Sequence, residues 1–392
     1  MGKGVSSTFV YILGAMFMLS FVFVFEAMLT LFSRFYSDEI AKKLVHIERN
    51  NTTRTISKQQ EEAKIITSYC NLFEGSWVID DDVIDPLYNT TTCPFIRNIF
   101  DCTNRSDRQY LKYKWQPSSC NLPRFDGREL LRKYKGKQIM FVGDSLSLNS
   151  YESFLCLLYV SVPEMNYKIK LTNQSITVIF EDYKVLVTLF NSLFLVDVEV
   201  EPNIGRVLKL NSIKNGEIWK QADVLIFNTW LWWTRGKPKQ PWDYIENGGK
   251  LVKDMNRIAA FKRGLNTWVK WVETQVDPTK TKVFYQGEAA SHHHGEDWGD
   301  PGVKGCSNET RPVMGSIYPG GLPLAAQIVK KLLRKKESII FLLDITILSH
   351  LRKDGHPANH NGYKGIDCTH FCLSGVPDTW NQLFYASLLS MY

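Results

Sequence analysis

The chain has 392 residues, with 47 Lys and Arg against 40 Asp and Glu, for a formal net charge of +7. That length holds one large domain or two small ones. The basic excess is modest and no nucleic-acid-binding motif accompanies it, so DNA and RNA are excluded as partners.

Residues 1–8 form a short polar start, expected to be cytosolic. Phe9 to Phe25 is then apolar apart from Ser20. With Glu26 tolerated at its edge the run reaches Phe32, long enough to span a bilayer. A cleaved signal peptide competes with this reading. No small-x-small cleavage site follows Phe25, where Glu26-Ala27-Met28 stand, so a transmembrane signal anchor over 9–32 is expected. Residues 33–68 are polar and charged and read as a stem.

Beyond the apolar run come N-glycosylation sequons at Asn50, Asn51, Asn89, Asn104, Asn173 and Asn308, and eight cysteines, all between Cys70 and Cys372. Both features argue for an oxidising lumen and up to four disulfides. The sequence leaves 105 connectivities open, and the spacing lacks the paired C-x-x-C pattern of a zinc site. In that setting the acidic partners that suit a basic chain are uronate-containing polysaccharides.

Residues 69–121 carry four cysteines, many turn residues and little periodicity, which reads as a small disulfide-rich module. Trp77, Tyr113 and Trp115 are more readily its core than a sugar-stacking platform. Residues 122–392 alternate short apolar runs with amphipathic stretches, the pattern of an α/β layer fold. The first strand is Ile139 to Val142, and a helix follows over Leu146 to Tyr159. Later strands are expected at Ile176–Phe180, Val185–Phe190, Leu193–Val200, Val224–Phe227, Lys282–Tyr285 and Ser338–Leu343. Helices are expected at Leu251–Val276, Leu322–Lys336 and Asp378–Met391.

Gly143-Asp144-Ser145 breaks the first strand and opens the first helix. A strand, a tight turn and a helix start lift a serine hydroxyl out at the strand's carboxyl end, beside helix N-terminal amides. Those amides face negative charge developing on a carbonyl attacked by Ser145. Read alone, Ser145 is more readily a helix cap. Asp367-Cys368-Thr369-His370 supplies the missing parts: an imidazole to take the serine's proton and a carboxylate to orient the imidazole. Alone, Asp-x-x-His is also a metal half-site or a surface turn. The two motifs together favour a serine hydrolase or acyltransferase site.

Asn228 closes the strand Val224–Phe227 and is the expected oxyanion side chain alongside the Ser145 amide, the alternative being a strand-end residue bonded to a neighbouring loop. Trp230, Trp232, Trp233 and Trp242 follow, interleaved with Arg235, Lys237 and Lys239. Indole faces suit the C–H faces of sugars and cations suit uronates, although some of these tryptophans roof the core. Trp230, Trp232, Trp233 and Arg235 are therefore expected to bind substrate. The run His292-His293-His294 lacks an acidic or cysteine partner at ligand spacing, so no metal is expected.

Taken with their surroundings, Ile139-Met140-Phe141-Val142-Gly143-Asp144-Ser145-Leu146 and the block from Asp367 to Asn381 resemble the signature segments of the plant trichome-birefringence-like family, within the wider SGNH/GDSL esterase group. Gly320-Gly321-Leu322-Pro323 and Leu343-Asp344-Ile345-Thr346 are similar to further segments of it. Thr369 and Phe371 stand where Ser and Trp are usual, Ser374 where Pro is common, and Leu148 where many members carry Arg. The triad is untouched by these departures.

The resemblance implies a three-layer α/β/α fold with a mostly parallel sheet, and disulfides Cys70–Cys120, Cys93–Cys156, Cys102–Cys372 and Cys306–Cys368. It implies that His292, which falls where the family also has a histidine, lies on a loop near the site and binds substrate. It further implies a single-pass type II protein of the Golgi membrane. Such a protein would transfer acetyl groups to cell-wall polysaccharide hydroxyls through an acetyl-serine, with no bound cofactor. A polysaccharide acetylesterase and a non-catalytic pectin-binding bridge are the alternatives.

Overall fold

The computed structural model describes residues 71–80, 86–360 and 365–391. The expected membrane helix at 9–32 and the stem at 33–68 lie outside the described residues, as do Cys70 and the sequons at Asn50 and Asn51. Among the described residues no helix is long and apolar enough to cross a membrane.

The chain begins, within the described part, with an antiparallel pair, β1 (Gly75–Ile79) and β2 (Tyr113–Pro117). Trp77 and Trp115 face each other across it with ring centroids 5.6 Å apart. Both are buried. Trp77 donates its indole N–H to the Leu348 carbonyl at 2.8 Å, and Trp115 donates to the Leu72 carbonyl at 2.9 Å. These aromatics are core, and they share that core with the large domain instead of closing a separate one. The Arg352 guanidinium lies 4.3 Å from the Trp77 ring centroid, a cation–π contact that ties the module down.

Helix α1 (Gly127–Lys133) leads to strand β3 (Gln138–Gly143) and helix α2 (Ser145–Ser161). Asp126 caps α1, its carboxylate accepting from Glu129 N–H at 2.9 Å. Strands β4 (Tyr167–Leu171), β5 (Ser175–Phe180) and β6 (Val185–Asn191) follow. Next come β7 (Asp197–Glu201), β8 (Gly205–Lys209), β9 (Val224–Phe227), β10 (Tyr244–Asn247) and β11 (Lys250–Val252). Helix α3 (Arg257–Gln275), β12 (Lys282–Gln286), helix α4 (Leu324–Leu333), β13 (Phe341–Leu343) and helix α5 (Val376–Ser390) follow, with shorter helical turns such as Gly216–Trp219 and Thr346–His350 in the connections.

Seven strands form the main sheet in the order β13-β12-β9-β3-β6-β5-β4. The five from β13 to β6 are parallel neighbours; β5 and β4 are attached antiparallel. A second sheet, β11-β10-β8-β7, pairs antiparallel except between β8 and β10. The architecture is therefore α/β with mixed sheets, which corrects the mostly parallel sheet expected. Parallel strands need long crossovers, whereas β4, β5 and β6, and likewise β7 and β8, are joined by short turns and so pair antiparallel with one another. The expected strand Leu193–Val200 is divided for the same reason: the chain leaves β6 at Asn191, turns, and only from Asp197 pairs with β8.

Side chains alternate across the main sheet. Ile139, Phe141, Val187, Leu189, Val224 and Ile226 pack on one face with α1, α2 and α5. Met140, Val142, Leu225, Phe227, Val283 and Tyr285 pack on the other with α3 and α4. A fully buried side chain of this size contributes about 1.5–3 kcal/mol, so both faces are firmly held and the carboxyl edge between them is a rigid platform.

Candidate active site

Ser145 stands one residue beyond β3, after Asp144, and is the first residue of α2. Asp144 caps that helix, its Oδ1 accepting from Leu146 N–H at 2.9 Å. Burial pushes the Asp144 carboxyl up to about 6. Glycine is required before it: a Cβ on Gly143 would sit 2.2 Å from Ser147 Oγ and 2.6 Å from the Asn228 carbonyl.

His370 reaches the same point from the far end of the chain. Its Nε2 lies 2.7 Å from Ser145 Oγ, and its Nδ1 lies 2.8 Å from Asp367 Oδ2. Asp367 Oδ1 accepts from the backbone N–H groups of Thr369 and His370, each at 3.0 Å. Burial alone would raise the Asp367 carboxyl. The hydrogen bond and charge of His370, with the two backbone donors, instead hold it well below the usual carboxylate range. Asp367 thus stays ionised and keeps the ring's Nδ1 proton, which leaves Nε2 free to accept the serine proton.

The segment carrying His370 is fixed on all sides. Disulfides join Cys306 to Cys368 and Cys102 to Cys372, one on each side of it, and Cys93 is joined to Cys156 of α2. Cys120 is also disulfide-bonded, with its expected partner Cys70 outside the described residues. The His356 Nδ1–H donates to the His370 carbonyl at 2.6 Å. Asn149, on α2, exchanges two hydrogen bonds with Phe371.

A cleft of ≈ 420 Å³ opens along the carboxyl edge, bordered by Leu146, Asn228, Trp230, Arg235, Glu288, His293 and Tyr318 among others. Asn228 donates its side-chain amide to the Gln286 carbonyl at 3.2 Å, with the Gly287 carbonyl at 3.5 Å. Its Oδ1 is buried with no partner among the described residues.

Of the side chains expected to bind substrate, Trp230 and Arg235 border the cleft. Trp233 does not: it is fully buried between Phe194 and Phe261, its indole N–H donating to Thr229 Oγ1 at 2.9 Å. Trp232 is half-buried with its indole nitrogen enclosed, and it does not border the cleft. Trp242 is likewise core, beneath the Arg257 guanidinium at 4.5 Å.

His292 is also corrected. Only 1% of it is exposed. Its Nδ1 meets His356 Nε2 at 2.6 Å and its Nε2 meets the His350 carbonyl at 2.8 Å. It therefore supports the backbone behind His370 and reaches no substrate. His293 is the member of the run that faces the cleft, with Nε2 3.2 Å from Thr369 Oγ1.

Sequence reasoning missed Asn149, His356 and Glu288. Asn149 and His356 act through contacts with residues 371 and 370, which no local pattern announces. Glu288 had a signal, since it stands two residues past the strand β12 on the edge where ligands collect. Among the described residues no three His, Cys, Asp or Glu side chains converge to hold a metal ion.

The mixed-sheet α/β fold, with Ser145, His370 and Asp367 hydrogen-bonded in series, is that of an SGNH-like esterase architecture. Residues 122–387 match the model of the GDSL/SGNH-like acyl-esterase family found in Pmr5 and Cas1p, and residues 68–121 match the PMR5 N-terminal domain. Among similar proteins of Arabidopsis thaliana, protein trichome birefringence-like 39 is 48% identical over 344 residues, covering 87% of this chain and 92% of that protein. Protein trichome birefringence-like 38 is 49% identical over 324 residues, covering 82% of this chain and 84% of its own length. Protein trichome birefringence is 36% identical over 345 residues, covering 82% of this chain and 56% of its own. The chain belongs to the trichome birefringence-like family, and the resemblance drawn from its two signature segments holds over most of its length.

Proposed function

We propose that the chain transfers acetyl groups from an acetyl-ester donor to hydroxyls of plant cell-wall polysaccharide through an acetyl-Ser145 intermediate. The observation that carries this reading is the unbroken chain Asp367–His370–Ser145, next to a cleft that Leu146, the residue after the serine, borders.

His370 Nε2 takes the Ser145 proton as Oγ attacks the donor carbonyl, and Asp367 stabilises the imidazolium that forms. The Ser145 backbone N–H faces the oxyanion, and the Asn228 amide joins it by releasing the Gly287 carbonyl, the longer of its two contacts at 3.5 Å. When the tetrahedral adduct collapses, the donor's leaving oxygen takes the proton from His370 and the acetyl group stays on Ser145. A sugar hydroxyl then gives its proton to His370, attacks the acetyl carbonyl and expels Ser145, which recovers the proton. The enzyme acts in the lumen of the Golgi, anchored by the N-terminal apolar run. Three disulfides and exposed sequon asparagines at 104, 173 and 308 support that compartment.

The family's description as acyl-esterases favours one second reading, in which water replaces the sugar and the protein is a polysaccharide acetylesterase. Mass spectrometry separates the two. Wild-type protein given a chromogenic acetyl ester and no glycan gains one acetyl mass on the peptide holding Ser145, and Ser145→Ala gains none. Faster discharge when glycan is added marks the transferase; discharge at one rate with or without glycan marks the esterase. Full turnover by Ser145→Ala would refute both.

A further inference from the structure

Glu288 stands two residues beyond β12, and Asn228 immediately follows the neighbouring strand β9. These strands run parallel with Tyr285 beside Phe227, so the two residues emerge on the same stretch of the carboxyl edge. Both border the cleft that also holds Leu146, the residue after the nucleophile. Glu288 Oε2 and Asn228 Oδ1 are each enclosed with no hydrogen-bond partner among the described residues. Two orphaned oxygens on one cleft wall are costly unless a ligand satisfies them, since an unpaired buried polar group costs about 1–3 kcal/mol.

We propose that Glu288, with Asn228 Oδ1, is the specificity-determining contact for the acceptor, holding the hydroxyls of an uncharged sugar beside Ser145. This rests on the acyl-transfer reading above. Burial pushes the Glu288 carboxyl up to about 8, against a hydrogen bond from Trp230 that lowers it. At neutral and acidic pH the side chain therefore carries a proton and offers an O–H donor together with an acceptor. A sugar hydroxyl, itself donor and acceptor, pairs with both. A uronate carboxylate placed at this wall would bear the same desolvation that keeps Glu288 neutral, so the deep part of the cleft selects against it. Asn228 Oδ1, an acceptor only, offers a carboxylate nothing to bind, and Arg235, which also borders the cleft, is the cation on which a uronate acceptor would rely instead.

The test is full-length enzyme charged as acetyl-Ser145 and discharged by neutral oligosaccharides or by oligosaccharides bearing uronic acid. Glu288→Leu should raise the acceptor KM for the neutral oligosaccharide on the order of tenfold with a smaller change in kcat. Glu288→Gln keeps a donor and an acceptor at the same place and should stay within about threefold of wild type. Uronate-bearing acceptors should discharge wild type more slowly than neutral ones. Unchanged acceptor KM in Glu288→Leu, or equal discharge by both acceptors, overturns the inference. Binding of the neutral oligosaccharide to Ser145→Ala protein, with and without Glu288→Leu, reads the contact without chemistry. A loss of affinity supports the assignment even if no acetyl-Ser145 forms and the acyl-transfer reading fails. Equal affinity removes the assignment while leaving acyl transfer intact.

Discussion

Asn149 and Phe371 hold each other by two reciprocal hydrogen bonds: the Asn149 amide donates to the Phe371 carbonyl at 3.0 Å, and the Phe371 N–H donates to Asn149 Oδ1 at 2.8 Å. Asn149 lies one helical turn beyond Ser145, and Phe371 directly follows His370. The pair therefore fixes the distance between nucleophile and base across 225 residues of sequence. Asn149 is wholly buried, so Asn149→Ala strands two backbone groups, at a cost of roughly 1–3 kcal/mol each. The expected outcome is a folded protein of lower denaturation midpoint whose acetyl-Ser145 formation slows about 10²-fold, as misplacement of reacting groups does. A rate close to wild type in the folded fraction would show that the disulfides, His356 and Asp367 position His370 without Asn149.

Much of the platform was legible in the sequence. The apolar run Ile139–Val142 ending in Gly143-Asp144-Ser145 has the length and punctuation of a buried strand feeding a helix, and it forms both. Asp367 and His370 were readable because three residues suffice for a carboxylate to reach back to its own imidazole. The second sheet was not legible: β8, β10 and β11 are short, partly exposed and held by pairings between distant segments. The division of labour among the tryptophans was equally hidden. Trp230 and Trp233 are three residues apart in a 3₁₀ turn and its flank, and composition says nothing about which indole turns inward.

That division carries a prediction. Trp233 rests against the backbone at Gly264, where a Cβ would lie 2.7 Å from its ring. Trp233→Ala leaves a cavity between β9 and α3 and should cost about 3–5 kcal/mol, read as a lowered denaturation midpoint. Trp230→Ala removes a cleft wall and the hydrogen bond to Glu288, and should weaken oligosaccharide binding with little loss of stability. The reverse pattern, weak binding from Trp233→Ala and collapse from Trp230→Ala, would contradict the assignment of these two side chains.

Stability should also depend on pH, because several carboxyls are buried away from compensating charge. Asp378 accepts from Ser153 Oγ at 2.6 Å, from Gly375 N–H at 2.7 Å and from the Tyr88 hydroxyl, yet burial pushes it up to about 6. Burial raises Glu152 to about 7 despite Arg97, and Glu288 to about 8. A carboxyl whose folded value lies above its unfolded one holds a proton that unfolding releases. Its contribution is fully present below the ordinary carboxylate range and is lost as pH rises through the folded value. Asp367 runs the other way: its folded value is depressed, so its contribution is present at neutral pH and is lost only on acidification below the ordinary range. Buried His292, His350 and His356 oppose this: burial holds them below the ordinary histidine value, so in acid the unfolded chain takes up protons that the fold excludes. Against that background the raised carboxyls contribute a decline that runs from the ordinary carboxylate range up to about pH 8. Glu288→Gln should flatten the alkaline end of that decline while leaving the part due to Asp378 and Glu152. Calorimetric scans of both proteins across this range decide it, and a pH profile unchanged by Glu288→Gln would show that this carboxyl is ionised in the folded protein.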